Sequence, residues 1–301
     1  MTAATERART APPWAPLALL LGLGTIWGVM LVMGRQATAD GVPPMAFAFW
    51  NCVGGATIIA GVARLRRVPL TVDARHLRYY AIAGLISTAF PNTLAFTVVA
   101  PIGTGLTGVL YALSPLFTYA FAMAVRIDRF DPLRSAGLAM GLAGTLLILL
   151  PQSSLPSPEA LHWVLLGLVM PVALASGNVY RNIAWPPGAH PITLAVGMLV
   201  AAALWLTPAM LVTDAFYWPL PPADLGDWST VAIFFVGGLI YILYFELQRL
   251  AGPVYFSQIS YVITASGVVF GMAVFSERHA IWVWLAIAVI CGGILLVNRR
   301  R

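Results

Sequence analysis

The chain has 301 residues, of which 60% are hydrophobic and only 9% are charged, and its formal net charge is +6. A soluble domain usually carries about a quarter charged residues, so this composition excludes one and indicates a membrane protein. Every basic residue is an arginine, and the arginines cluster at the ends of apolar stretches, so we expect no nucleic-acid partner.

The uncharged stretches predict ten transmembrane helices, because a helix needs about 20 apolar residues to cross the hydrocarbon core. Residues 79–125 are too long for one helix, and Pro101 and Gly103 predict a tight turn that divides them into spans 3 and 4. Residues 182–213 begin with a loop and hold one span. The remaining spans are predicted within 17–34, 41–63, 135–158, 160–180, 228–245, 250–276 and 280–298.

The arginines also predict the orientation. With the N-terminus in the cytoplasm, fifteen of the seventeen arginines, Arg181 among them, fall on the cytoplasmic side, and Arg35 and Arg278 fall outside. This distribution satisfies the positive-inside rule. We therefore expect a multi-pass integral membrane protein of a bacterial plasma (inner) membrane, with both termini in the cytoplasm.

Comparison of the chain with itself at an offset of 149 residues indicates an internal repeat, for example 123–125 against 272–274 and Gly144 against Gly293. Each half holds five spans, an odd number, so the second half begins from the opposite face. The predicted fold class is an all-α membrane protein with ten transmembrane helices in two inverted-topology five-helix repeats, which is common among secondary transporters. We predict a cytoplasmic N-terminal tail at 1–16, the first repeat at 17–150, an outer linker at 151–160, the second repeat at 161–298 and a cytoplasmic C-terminus at 299–301. A duplication that only builds a stable bundle is the alternative.

Three short motifs carry a family resemblance. They are Trp27-Gly28 in span 1, the run 111–115 (Tyr-Ala-Leu-Ser-Pro) in span 4, and Ser276-Glu277-Arg278 before span 10. With them the chain resembles the drug/metabolite transporter (DMT) superfamily, in its EamA-like ten-helix branch. The resemblance implies export of metabolites, and one branch of the family exports amino acids, including aromatic ones.

Polar side chains inside the spans are candidates for a solute site, because polar groups that face lipid are costly. The polar residues of span 4 recur at helical spacing. Tyrosine offers an apolar face and one hydroxyl, which suits a mostly apolar solute. Hydrogen bonding between helices is the alternative role. The substrate-binding candidates are Asn92, Tyr111, Ser114, Tyr241, Tyr244, Gln258, Tyr261 and Trp27.

The 149-residue offset pairs Asn92 of span 3 with Tyr241 of span 8, and we predict the solute site between spans 3, 4, 8 and 9. No charge is predicted at the centre of a span, which argues against a buried ion-pair relay and against anionic solutes. Glu246, three residues before Arg249, is predicted to form a surface ion pair with it.

We therefore expect a secondary transporter that exports a small neutral or zwitterionic metabolite, an amino acid or a similar molecule, by alternating access. Import, or exchange of a sugar or nucleotide-linked sugar, is the alternative within transport. A membrane enzyme or a scaffold is the alternative from another class, but the sequence has no P-loop, zinc-ligand spacing or nucleophile elbow. We expect no enzymatic activity, catalytic residue, cofactor or metal. The expected partners are a small-molecule solute and the lipid bilayer, and a homodimer is left open.

Overall fold

The computed structural model describes residues 14–149 and 160–275, together with eight residues between 285 and 296. Outside the described residues lie most of the predicted N-terminal tail, the predicted C-terminus, nearly all of the predicted outer linker, the motif Ser276-Glu277-Arg278 and most of span 10. The predicted boundaries of the two repeats stay predictions.

The described chain is a bundle of helices joined by short loops. A five-residue π-helical turn, Leu85–Ala89, connects α3 to α4 without a loop. The helices are α1 (Ala15–Ala39), α2 (Pro44–Leu65), α3 (Ala74–Gly84), α4 (Phe90–Ala124), α5 (Pro132–Leu149), α6 (Ala160–Gly167), α7 (Val169–Ile183), α8 (Pro191–Val212), α9 (Leu225–Ser257) and α10 (Ile259–Phe275).

Within the described residues, six helices are long and apolar enough to cross a membrane. A seventh apolar helix, Leu110–Ala124, is shorter and corresponds to span 4. Helices α5 and α10 correspond to spans 5 and 9, and the helical residues 291–293 fall within span 10. The all-α membrane fold class is confirmed. The six long helices are Ala15–Ala39, Pro44–Leu65, Ala74–Thr104, His162–Ile183, Pro191–Val212 and Leu225–Ser257.

Two glycines break the long helices at equivalent places in the two halves. Gly103 interrupts α4 with φ 80° and ψ 167°, which confirms the turn predicted between spans 3 and 4. Gly252 interrupts α9 with φ 78° and ψ 176° and ends span 8 in the same way. These angles belong almost only to glycine. The two breaks are 149 residues apart, which is the offset of the sequence repeat.

The halves interleave, and small residues allow their helices to approach closely. Helix α2 packs against α9, and α3 with its π-helical turn packs against α8, so each half repeats the contact made by the other. A Cβ atom at Gly54 would lie 2.3 Å from the backbone of Phe234 on α9. A Cβ atom at Gly84 would lie 2.8 Å from the backbone oxygen of Met198 on α8. The interior is therefore shared between the halves.

Hydrogen bonds at the helix ends fix the loops. Asp73 caps α3 by accepting from the backbone N–H of His76 at 2.9 Å, and this bond lowers the pKa of the Asp73 carboxyl. In the loop before α9, the Tyr217 hydroxyl donates to Asp227 at 2.6 Å, which raises the pKa of Tyr217 to about 12. The Trp50 indole of α2 donates to the backbone oxygen of Tyr217. This loop is thereby attached to both halves.

Candidate functional site

A small cavity lies where α1, α4, α7, α9 and α10 meet, so both halves of the chain form its wall. Its volume is about 20 Å³, which is room for little more than one water molecule. Four of the eight predicted site residues line it, namely Trp27, Tyr111, Ser114 and Tyr244. The remaining lining residues are Leu174, Asn178, Phe256, Ser257, Ile259, Ser260 and Ile263.

One wall of the cavity is aromatic. The indole of Trp27 stacks against the ring of Tyr244, with centroids 5.8 Å apart, and meets the edge of Tyr241 at 6.1 Å. The ring of Phe256 meets Tyr244 edge-on at 4.5 Å. Spacings of this kind are favourable for aromatic pairs. The wall offers flat apolar surfaces that can hold an apolar or aromatic group.

The part of the cavity lining on α4 carries polar atoms. Tyr111 and Ser114 lie almost one helical turn apart, and both are buried. The Tyr111 hydroxyl interacts with the indole of Trp27. The Tyr111 hydroxyl oxygen and the Trp27 Nε1 atom nevertheless have no partner at hydrogen-bond geometry. Buried polar groups are normally hydrogen-bonded. The Tyr111 hydroxyl and the Trp27 indole nitrogen thus interact without a well-formed hydrogen bond, and solute binding by Tyr111 and Ser114 stays a prediction.

A buried polar network lies directly behind the wall of the cavity. The Arg181 guanidinium donates from Nη2 to Asn178 Oδ1 at 2.9 Å and from Nε to Gln248 Oε1 at 2.9 Å. Gln248 in turn donates to the backbone oxygen of Asn178 at 2.9 Å, and the Asn178 amide donates to Thr118 at 3.2 Å. The network links α7, α9 and α4.

Arg181 is a buried arginine near the end of α7. The arginine distribution predicts Arg181 on the cytoplasmic side and no charge at the centre of a span, and its place two residues before the end of α7 at Ile183 contradicts neither prediction. The sequence did not predict that the side chain is 0% exposed, with its Cζ atom 4.5 Å from the centroid of Tyr244. The residue stands at the end of an apolar stretch, where topology-setting arginines also occur, and sequence position alone does not distinguish an inward from an outward side chain.

Asn92 and Tyr241 contact each other beside the cavity. The Asn92 Nδ2 atom donates to the Tyr241 hydroxyl at 3.1 Å, and both side chains are buried. Neither residue lines the cavity itself. The ring of Tyr241 supports Trp27 from behind. The structure thus places this predicted pair in the layer behind the aromatic wall, and a role in solute binding stays a prediction.

The last two predicted site residues, on and before α10, also lie outside the cavity lining. The Tyr261 hydroxyl donates to the backbone oxygen of Leu138 on α5 at 2.9 Å, and its ring packs on Gly141. The Gln258 amide is buried between α9 and α10, and neither of its polar atoms has a hydrogen-bond partner. Solute binding by either residue stays a prediction.

A larger cavity of about 290 Å³ opens beside the break at Gly252. Asp128 and Arg134, which form an ion pair, stand on one side of it, and Asn182 stands on α7. The remaining lining residues are Ile127, Ala251, Pro253, Val254 and Tyr255.

Glu246 and Arg249 form the predicted ion pair on α9, and the Glu246 side chain is 37% exposed. This prediction is confirmed. Within the part of the chain that the structure describes, no group of three or more His, Cys, Asp or Glu residues could hold a metal ion.

Three residues at or beside the cavity were not among the candidates predicted from the sequence, namely Asn178, Arg181 and Phe256. One signal for them was present, because Asn178 and Arg181 are three residues apart and share a helix face. Phe256 had no such signal, since an aromatic residue in an apolar span is ordinary.

The comparisons with known proteins agree with this architecture. Residues 14–150 match the model of the EamA-like transporter family. No curated protein matches the chain. A solved structure described only as "Crystal structure of protein" is similar to this chain with a TM-score of 0.75 and 18% sequence identity, over 96% of this chain and 100% of the other. At that identity the likeness concerns the fold alone.

Proposed function

Because this chain is a member of the drug/metabolite transporter superfamily, we propose that it exports a small zwitterionic metabolite, such as an amino acid with an apolar or aromatic side chain. Membrane transport is the function of the family. The substrate class and the direction of transport are the parts proposed here.

The observation that carries the proposal is the composition of the small cavity. Trp27 and Tyr244 offer aromatic faces, and Tyr111 and Trp27 offer polar atoms without hydrogen-bond partners. A mostly apolar site with a few convergent polar groups is typical of sites for small molecules. A sugar, which carries hydroxyls on every side, would leave many of them unpaired against this wall.

Alternating access explains why the cavity is small. Sites for small molecules usually have volumes of about 300–1,000 Å³, far above the 20 Å³ of this cavity. A solute can therefore enter only when the helices separate. The wall belongs to both halves, so a rocking motion of one half against the other would widen it. The 290 Å³ cavity beside Gly252 offers space on one side of the bundle for such a motion.

We propose a bacterial plasma membrane as the location, with the N-terminus in the cytoplasm, on the strength of the arginine distribution. Single cysteines introduced at Leu70 and Leu220, which are both exposed, test the orientation when Cys52 and Cys291 are replaced by alanine. A membrane-impermeant thiol reagent added to whole cells should label position 220 and leave position 70 unlabelled. Labelling of both positions from one face would contradict the inverted arrangement.

Transport itself is tested by counterflow in proteoliposomes. Vesicles with the purified protein are loaded with an unlabelled solute and receive labelled amino acids, amines or sugars outside. We expect counterflow of apolar amino acids, and a loss of about 2- to 10-fold in Trp27→Leu, since leucine stays apolar but lacks the aromatic contact, which is worth roughly 0.5–1.5 kcal/mol. Trp228→Leu, at an exposed tryptophan outside the cavity, is the matched control and should transport normally. Counterflow of sugars alone would contradict the proposed substrate class.

The direction of transport needs intact cells. Cells that express the protein should release a preloaded labelled amino acid faster than cells that express Trp27→Leu. Net accumulation of the label in the expressing cells would instead identify an importer.

A further inference from the structure

We infer that Arg181 binds the carboxylate of the solute, so that the protein selects molecules with a free carboxylate over their carboxamides. This inference rests on the proposed transport function and specifies its substrate class.

The partners of Arg181 leave one side of its guanidinium open. Nε and Nη2 donate to the neutral oxygens of Gln248 and Asn178. Nη1 is buried and has no hydrogen-bond partner. Arginine presents its donors as a planar fork that suits a carboxylate. The unpartnered nitrogen is therefore positioned as a donor to a further acceptor.

The charge of Arg181 is also uncompensated within the described residues. The ion pairs of His76 with Asp73, of Arg134 with Asp128 and of Arg249 with Glu246 do not include Arg181. Buried charges are normally paired, because removing an ion from water is expensive. The amides of Gln248 and Asn178 and the ring of Tyr244 offset part of that cost. A bound anion would offset the rest of the free-energy cost of burying this charge.

The guanidinium is next to the solute cavity. Asn178, Tyr244 and Phe256 all line the cavity, and each of them also contacts Arg181. These three side chains form the partition between the guanidinium and the cavity. When the halves separate, a small displacement of Tyr244 or Phe256 would expose Nη1. The apolar part of the solute would then remain against Trp27.

The number of charges favours a carboxylate over a phosphate. Arg181 supplies one positive charge, and no lining residue of the small cavity is basic. A phosphate ester carries close to two negative charges at neutral pH. The single positive charge of Arg181 therefore matches the charge of one carboxylate better than the charge of a phosphate ester.

The test compares matched solutes on purified protein. A panel of labelled amino acids is bound at equilibrium, and each is displaced by the corresponding carboxamide and by a phosphate ester. We expect the acid to bind about 10- to 100-fold more tightly than its amide. This ratio corresponds to the free energy that a hydrogen bond to a charged group contributes. Arg181→Gln should bring the ratio close to one, because the acid loses more binding than the amide does. Arg181→Lys should keep part of the preference.

A second variant separates recognition from folding. In Asn178→Asp the new carboxylate still accepts from Arg181 and neutralises the charge of the guanidinium. The Thr118 hydroxyl, which accepts from the Asn178 amide, can turn and donate to the carboxylate. We expect this protein to remain folded and to lose the preference for acids. Arg249→Gln, at an arginine of α9 that is paired with Glu246, is the control and should keep the preference.

Two outcomes overturn the inference. An unchanged acid-to-amide ratio in Arg181→Gln and Asn178→Asp would show that Arg181 only holds α7 against α9, and preferential binding of the phosphate ester would show a different anion. In the first case counterflow of amino acids would continue and the proposed function would stand, whereas the second case would also contradict the proposed substrate class. If the folded protein moves no member of the panel, the proposed function fails and the inference fails with it.

Discussion

The amide of Asn92 donates a 3.1 Å hydrogen bond to the hydroxyl of Tyr241, and the two residues stand 149 positions apart, at the offset of the internal repeat. Equivalent residues of two inverted repeats can touch each other only close to the axis that relates the repeats. The bond therefore marks that axis in the interior. It also joins α4 of the first half to α9 of the second.

Tyr241→Phe tests whether this bond is structural. The substitution leaves the Asn92 amide buried without its acceptor, so we expect the free energy of unfolding to fall by about 1–3 kcal/mol. Solute affinity of the folded protein should change little, because neither residue lines the cavity. Denaturation of the purified protein and equilibrium binding measure the two quantities. A loss of affinity at unchanged stability would instead bring Tyr241 into the solute site.

Tyr111→Phe is the matched substitution inside the cavity, and the opposite result is expected. The Tyr111 hydroxyl is buried and has no partner at hydrogen-bond geometry, so its removal should leave the free energy of unfolding unchanged or slightly higher. If the hydroxyl binds the solute, affinity should fall by about 0.5–1.5 kcal/mol. The same denaturation and binding assays apply. A clear loss of stability would mean that the hydroxyl supports the bundle.

The fold could be predicted from the sequence because each span is marked by a simple physical signal. Span length follows from the thickness of the bilayer. The break at Gly103 could be predicted because it stands two residues after Pro101, within a stretch too long for one helix. Gly252 stands beside a proline, yet the uncharged stretch there is short enough for one span. Its break was therefore not predicted from the sequence.

The site was predicted only in part because burial within a bundle depends on how helices are rotated. Periodicity identified the polar face of α4 and with it Tyr111 and Ser114. It could not tell which polar face meets the cavity and which meets a neighbouring helix, so Tyr261, bonded to α5, was grouped with them. Arg181 was missed because an arginine at the end of a span usually faces the interface.

Glu246→Gln tests whether the acid on α9 couples transport to protons. Glu246 is partly exposed and paired with Arg249, and pairs of this kind contribute about 0–1 kcal/mol to stability. We expect counterflow and its pH dependence to match the unmodified protein. Loss of transport in a variant of normal stability and abundance would make Glu246 a coupling residue.

Gly103→Ala and Gly252→Ala test the equivalence of the two breaks. No atom lies within 4 Å of a Cβ at either position, so the cost of the substitution comes from the backbone conformation alone. Their φ angles of 80° and 78° are unfavourable for alanine, and we expect each variant to lose about 1–3 kcal/mol of stability. Gly61→Ala is the control, because Gly61 is equally open but lies in regular helix, where alanine should be neutral or stabilising by up to about 1 kcal/mol. The losses should be similar at the two positions and additive in the double variant, since the breaks lie in different halves. If Gly252→Ala were as stable as the unmodified protein while Gly103→Ala was not, α9 could continue as a regular helix and the two breaks would not be equivalent.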